Sequence, residues 1–319
     1  MHRLKSAALI SKLSYNEPDR LWSNITESDK ASLLDYLNVT SLSEIDIQFI
    51  NGQPIQDTQA YIWKTKSKLV VSFRGTSNIK DAMTDISIRQ FGIWLPEEPK
   101  TQKWQSIQSI GEVGMTTICN KYPDSPCLHI HSGFLTQYLA VRDTIIQSIS
   151  DGEYEEFLIT GHSLGAALAT LSAVELFKIN GSATKKSVVT IGSPRVGDSN
   201  FVKLFDSGEF EKYRIFNEQD PVPQVPMSLF YKHVGSGLSI TDNGLVSFTK
   251  NDFHWMLRPF IMLGTLDFFK PILDHDTDQY IERLGWDEPN DALVASDRKN
   301  ILMCLGLLGC IALYFGVGK

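Results

Sequence analysis

Five consecutive residues, Gly161-His162-Ser163-Leu164-Gly165, constrain this chain more than any other feature. They fit the pattern G-x-S-x-G, and the spacing has a physical reason. A serine held on a sharp turn between a strand and a helix has strained backbone angles, and bulky residues two positions to either side would collide. Glycine at both positions removes the collision and exposes the hydroxyl. A chain this long meets the pattern by chance about one time in ten, so the flanks decide. Residues 157–160 (FLIT) read as a short buried strand, and residues 164–169 (LGAALA) as the start of a small-residue helix. The segment predicts strand, turn and helix with Ser163 at the turn. The helix N-terminus adds a partial positive charge beside the serine oxygen.

The rest of the chain repeats this alternation. Residues 68–73 (KLVVSF), 187–191 (SVVTI) and 213–216 (YRIF) are compact β-branched or aromatic runs, while residues 134–148 and 164–177 carry apolar residues at helical spacing. Residues 1–50 read as helical, beginning with 6–14. Strands alternating with helices predict an α/β fold with a mostly parallel central sheet flanked by helices. No Pro-, Gly- or Ser-rich linker divides the body, and 319 residues are ample for one large core. A hydrophobic share of 42% against 21% charged excludes wholesale disorder, and a net charge of −7 leaves no basic face for a nucleic-acid partner. Cys119, Cys127, Cys304 and Cys310 lack the paired spacing of a zinc site, so no metal is expected. Cys119 and Cys127 flank a turn-rich stretch able to close a small disulfide loop. Without a visible secretory signal, two reduced thiols are the expectation, because the apolar run at residues 7–10 is too short for a signal h-region.

The C-terminus differs from the body. Residues 301–317 read ILMCLGLLGCIALYFGV without a charge. About 17 apolar residues span roughly 26 Å as a helix, at the short end for a membrane crossing. The expected division is therefore 1–296 as a catalytic domain and 297–319 as a hydrophobic tail, forming a single-pass membrane anchor. Arg298 and Lys299 lie on the domain side, which places the domain in the cytosol by the positive-inside rule.

A serine nucleophile needs a base, and the base an orienting carboxylate. In a fold built around this turn they follow the serine, acid first and histidine second. His2, His129 and His131 precede Ser163. His162 is adjacent in an extended segment, so its side chain should point away. His233, His254 and His275 remain. For the acid, Asp220 lies just past a strand end with Pro221 and Pro223 fixing the loop behind it; Asp198 is the rival.

At this point several segments stand together: Val71-Ser72-Phe73-Arg74-Gly75-Thr76, His131-Ser132-Gly133-Phe134, the Gly161–Gly165 elbow, Gly192-Ser193-Pro194-Arg195-Val196-Gly197-Asp198, Asn217-Glu218-Gln219-Asp220-Pro221-Val222-Pro223, Tyr231-Lys232-His233-Val234-Gly235 and Asp274-His275. In this order the sequence resembles the class 3 (fungal-type) lipases of the α/β-hydrolase superfamily, over roughly residues 68–280. The resemblance implies Ser163 as nucleophile and Asp220 as acid. It implies His275 as base, because the family's catalytic histidine lies in a late Asp-His pair. The oxyanion donors it implies are the N–H groups of Thr76, after the Arg-Gly pair, and of Leu164. Residues 77–94 occupy the family's lid position and read equally well as a surface loop.

The implied activity is serine-dependent hydrolysis of a lipid ester through an acyl-enzyme, without metal or organic cofactor. A phospholipase or galactolipase would use the same residues, as would a small-molecule carboxylesterase. A non-catalytic membrane adaptor is a further alternative from a different class. Secreted members of the family carry a signal peptide. A hydrophobic tail in its place favours a membrane-lipid role.

Overall fold

The apolar runs become neighbouring strands of one sheet. The computed structural model describes residues 2–52, 58–76, 115–118, 128–150, 152–179, 183–217, 220–226, 228, 230–241, 244–249 and 275–284. In chain order its strands are β1 (Asp46–Asn51), β2 (Gln59–Lys64), β3 (Lys68–Phe73), β4 (Met115–Ile118), β5 (Leu128–His131), β6 (Glu156–His162), β7 (Lys185–Ile191), β8 (Glu211–Asn217), β9 (Ser236–Thr241) and β10 (Gly244–Thr249). Its helices are α1 (His2–Leu13), α2 (Glu27–Leu37), α3 (Ser132–Ile149), α4 (Leu164–Ile179), α5 (Ser199–Asp206) and α6 (Thr277–Leu284).

Eight strands form the main sheet in the order β1-β2-β3-β6-β7-β8-β9-β10, and β4 pairs with β5 separately. From β3 to β9 the pairings are parallel; β1–β2, β2–β3 and β9–β10 are antiparallel. The central strands read as unbroken apolar runs because both faces are covered. On one face Leu69, Val71, Phe73, Phe157 and Ile159 meet Phe134 and Leu135 of α3 and Ala167, Leu168 and Leu171 of α4. On the other, Val70, Leu158, Val189 and Ile191 meet Leu9, Ile10 and Leu13 of α1, Leu33 of α2 and Tyr280 of α6. The short apolar run at residues 7–10 is thus part of the core of a buried helix.

The parallel strands set the site. Thr76 lies three residues beyond β3, Ser163 follows β6 directly, and Asp220 lies three residues beyond β8. All three therefore stand at the carboxyl ends of the sheet, where loops converge in open α/β folds.

One expectation needs correction: residues 1–50 are not helical throughout, because 46–51 form β1 at the sheet edge. This strand (DIQFIN) is mostly half-exposed, so it lacks the continuous apolar run that marks the central strands. Residues 77–94, Cys119, Cys127, His254, the proposed domain boundary at 296 and the tail at 301–317 lie outside the described residues. Among the described residues no helix is long and apolar enough to cross a membrane.

Candidate active site

The turn after β6 is under steric tension that its neighbours hold in place. Ser163 has φ of 59°, a left-handed conformation uncommon outside glycine and asparagine. A Cβ at Gly161 would overlap the Gly165 carbonyl, and a Cβ at Gly165 would overlap the Phe73 carbonyl of β3. Both glycines are therefore required by close backbone approach. The Ser163 N–H donates to the Ile191 carbonyl at 3.0 Å, and its own carbonyl accepts from Ala166 N–H at 3.0 Å and Ala167 N–H at 3.3 Å. Strand β7 and the first turn of α4 thus grip the residue from both sides. Such strain costs about 1–3 kcal/mol, and the surrounding packing over-determines it.

Asp220 and His275 form a fully buried pair. The His275 Nδ1–H donates to Asp220 Oδ2 at 2.6 Å, and neither side chain is exposed to solvent. Asp220 accepts two further bonds: Tyr280 O–H to Oδ2 at 2.6 Å and Val222 N–H to Oδ1 at 2.8 Å. Tyr280 is itself fixed, accepting from the Asn217 N–H at 2.9 Å. Burial, and next the Asp220 charge, push its hydroxyl well above the ordinary tyrosine range, so it stays a donor. With Nδ1 carrying the proton, Nε2 of neutral His275 is an acceptor. It is buried and has no hydrogen-bond partner among the described residues. A carboxylate-pinned imidazole with an open Nε2 can serve as a general base. The pair lies tight against the residue after β7: a Cβ at Gly192 (φ +57°) would sit 2.9 Å from Asp220 Oδ2 and 2.9 Å from His275 Cε1.

The other candidates are engaged elsewhere. Asp198 caps α5, accepting from Asn200 N–H and Phe201 N–H, and pairs with His129 Nδ1 at 2.8 Å. His233 Nε2–H donates to the Pro223 carbonyl at 2.7 Å, bracing the loop behind Asp220. Burial, then the charges of Arg214 and Arg195, hold it well below the usual histidine range. His131 caps α3, accepting from Phe134 N–H at 3.4 Å. Leu164 opens α4, where helix N–H groups lack intrahelical acceptors.

Sequence reasoning gave no role to four residues that the structure brings to this site: Tyr280, Gly192, Tyr15 and His162. The sequence expectation for His162 went no further than a side chain pointing away from Ser163. The structure adds its partners: the ring lies against the backbone of His275, with Nε2 at 2.7 Å from the His275 carbonyl oxygen. No local signal marks a tyrosine five residues past His275 or one that follows the first helix.

The sequence profile described as "Lipase (class 3)" matches residues 70–230, half of the chain. The chain belongs to the class 3 lipase family. Thr76, Ser163 and Asp220 lie inside the matched segment, and His275 lies beyond it. Among curated relatives, "Lipase" of Rhizomucor miehei is 29% identical over 198 residues, covering 59% of this chain and 47% of that protein. "Phospholipase A1-II 3" of Oryza sativa subsp. japonica is 35% identical over 136 residues, covering 35% of this chain and 32% of that protein. The matches thus span less than half of these relatives' length. A solved triacylglyceride lipase of Rhizomucor miehei superposes with a TM-score of 0.58 at 23% identity, covering 86% of this chain and 91% of that one. This likeness, with the mostly parallel sheet between helices, is the α/β-hydrolase fold of the lipases.

Proposed function

We propose that this class 3 lipase family member is a serine carboxylic-ester hydrolase that cleaves acylglycerols through an acyl-enzyme. The observation that carries this reading is the buried Asp220–His275 pair, whose Nε2 has no hydrogen-bond partner among the described residues, at the same carboxyl end of the sheet as a serine held at a strained strand-to-helix turn. His275 Nε2 takes the proton of Ser163, and Oγ attacks the ester carbonyl. The N–H groups of Leu164 and Thr76 hold the developing oxyanion, a donor of this kind contributing roughly 3 kcal/mol. Asp220 keeps the imidazole in the productive tautomer and stabilises the imidazolium. His275 then protonates the departing alcohol, water enters with His275 again as base, and the carboxylic acid leaves with Ser163 restored.

The rice relative supports a second reading, a phospholipase using the same residues. We place the enzyme at a membrane through residues 301–317, with the catalytic domain on the cytosolic side. An anchored enzyme meets a bilayer ester at high effective concentration.

The test is fatty-acid release from emulsified tri-, di- and monoacylglycerols and from liposomal phospholipids and galactolipids. Detergent-solubilised wild type is compared with Ser163→Ala. Release by wild type alone is the expected result, and the lipid hydrolysed fastest names the substrate class. Folded wild type that releases nothing from any lipid would sink the proposal. Asp220→Asn should keep binding and lower kcat roughly ten-thousand-fold; near-normal turnover would refute Asp220 as the acid.

A further inference from the structure

Two histidine rings lie against each other in this site, tilted by 35°, and they are held in opposite ways. The rings of His162 and His275 are 4.4 Å apart between centroids. His275 is pinned by a carboxylate. His162 is pinned at Nδ1 by the hydroxyl of Tyr15, 2.9 Å away, and at Nε2 by the His275 carbonyl, 2.7 Å away. A carbonyl oxygen only accepts, so the proton of His162 must sit on Nε2. A neutral imidazole has one such proton, which leaves Nδ1 as acceptor and Tyr15 as donor. The chain has one direction: Tyr15 O–H to His162 Nδ1, then His162 Nε2–H to the His275 backbone.

The chemistry requires His162 to be neutral. His275 becomes positive during turnover, and a second cation in contact with it would oppose that charge. Burial, then proximity to His275, pulls His162 well below the ordinary histidine range. The rings of Tyr15 and Tyr280 are further aromatic neighbours of His162, at 5.9 Å and 6.0 Å. Arg74 and Asp276 are the charges felt by the Tyr15 hydroxyl, which burial raises well above its usual range. A carboxylate in place of Tyr15 would draw a proton onto Nδ1 and favour the charged ring. A tyrosine hydroxyl satisfies the nitrogen without doing so.

Tyr15 reaches a second part of the site. A Cβ at Gly75 would overlap its hydroxyl and lie 2.6 Å from the His162 carbonyl oxygen. The hydroxyl therefore packs on the backbone next to Thr76. Tyr15 stands just past α1, which packs against β6 and α6, the strand that ends in His162 and the helix that follows His275.

We propose that Tyr15 and His162 are positioning residues of this active site: the chain Tyr15–His162–His275 carbonyl fixes the base, and the same hydroxyl fixes the Gly75-Thr76 segment. The inference rests on the proposed serine-hydrolase function and names residues that function does not itself require.

The experiment compares full-length, detergent-solubilised wild type, Tyr15→Phe, His162→Leu, His162→Gln and the double variant Tyr15→Phe/His162→Gln, with Ser163→Ala as blank. Hydrolysis of a short soluble p-nitrophenyl ester is followed, and thermal unfolding is recorded for each protein. Tyr15→Phe removes one hydrogen bond and should lower kcat about ten-fold with KM unchanged. His162→Leu should lower kcat about a hundred-fold, the scale of a misplaced catalytic group. His162→Gln keeps an amide N–H for the His275 carbonyl and should recover most of that loss. Tyr15 acts on His275 only through His162, so the double variant should fall by less than the product of the two single effects. Wild-type kcat in folded Tyr15→Phe, or equal loss in the Gln and Leu variants at equal stability, would overturn the inference and leave the serine-hydrolase reading standing. A loss confined to thermal stability would overturn it as well. Turnover by Ser163→Ala equal to wild type would overturn both.

Discussion

A side chain at position 192 has nowhere to go. Its backbone is left-handed, and any Cβ meets Asp220 on one side and His275 on the other. Gly192→Ala should therefore separate Asp220 from His275, reducing kcat/KM for a soluble ester about a hundred-fold and stability by roughly 1–3 kcal/mol. Steady-state kinetics and urea unfolding check this, and unchanged turnover would show that the buried pair yields to the methyl group. At this scale the sequence was informative about the elbow, because Gly161 and Gly165 answer to sterics within a few residues and one adjacent strand. It left the base open among His233, His254 and His275 until a family resemblance was used. What distinguishes His275 from His233 is physical: one donates to a carboxylate, the other to the carbonyl of Pro223.

At the scale of elements, α1 bears more on the site than its sequence suggests. It carries Leu9, Ile10 and Leu13, exposed by 2%, 0% and 1%, onto the sheet face beneath β6. Buried serines in it and just past it bond laterally as well: the hydroxyls of Ser11 and Thr160 are 2.9 Å apart, and Ser14 donates to Ser72 at 2.7 Å. Ile10→Ala should destabilise the fold by about 2–5 kcal/mol, read as a lower urea midpoint with an unchanged slope. A loss under half a kcal/mol would mean that α1 is docked by its polar bonds alone. The central strands and the helices α3 and α4 were legible because two covered faces leave long apolar runs and a clear helical period. The edge strand β1 was not, since a half-exposed edge mixes polar and apolar residues without a strong period.

For the whole molecule, the buried histidines set how stability responds to acid. His162 and His233 are both held well below the ordinary value of 6.5. Below about pH 6.5 the unfolded chain takes up protons that the folded chain refuses, so stability falls as the pH drops. The slope approaches about 1.4 kcal/mol per pH unit for each histidine. His129 acts in the opposite sense: its bond to Asp198 raises it, so its contribution is present below about 6.5 and fades as the pH rises through its folded value. That pair is partly exposed, so its share is small. Urea unfolding from pH 7 to 5 should show wild type losing stability and His233→Gln losing it less steeply. Equal slopes would show that His233 titrates as it does in the unfolded chain.

The sequence by itself determined what local sterics and periodicity encode: the strained serine turn with its two glycines, the central strands and the covering helices. Tertiary structure alone decided which groups meet. Tyr15 reaches His162 across 147 positions, His162 reaches His275 across 113, and Tyr280 reaches Asp220 across 60. A hydrogen bond between distant residues leaves no periodic trace, because each partner is selected by the space that packing leaves and not by its neighbours in the chain.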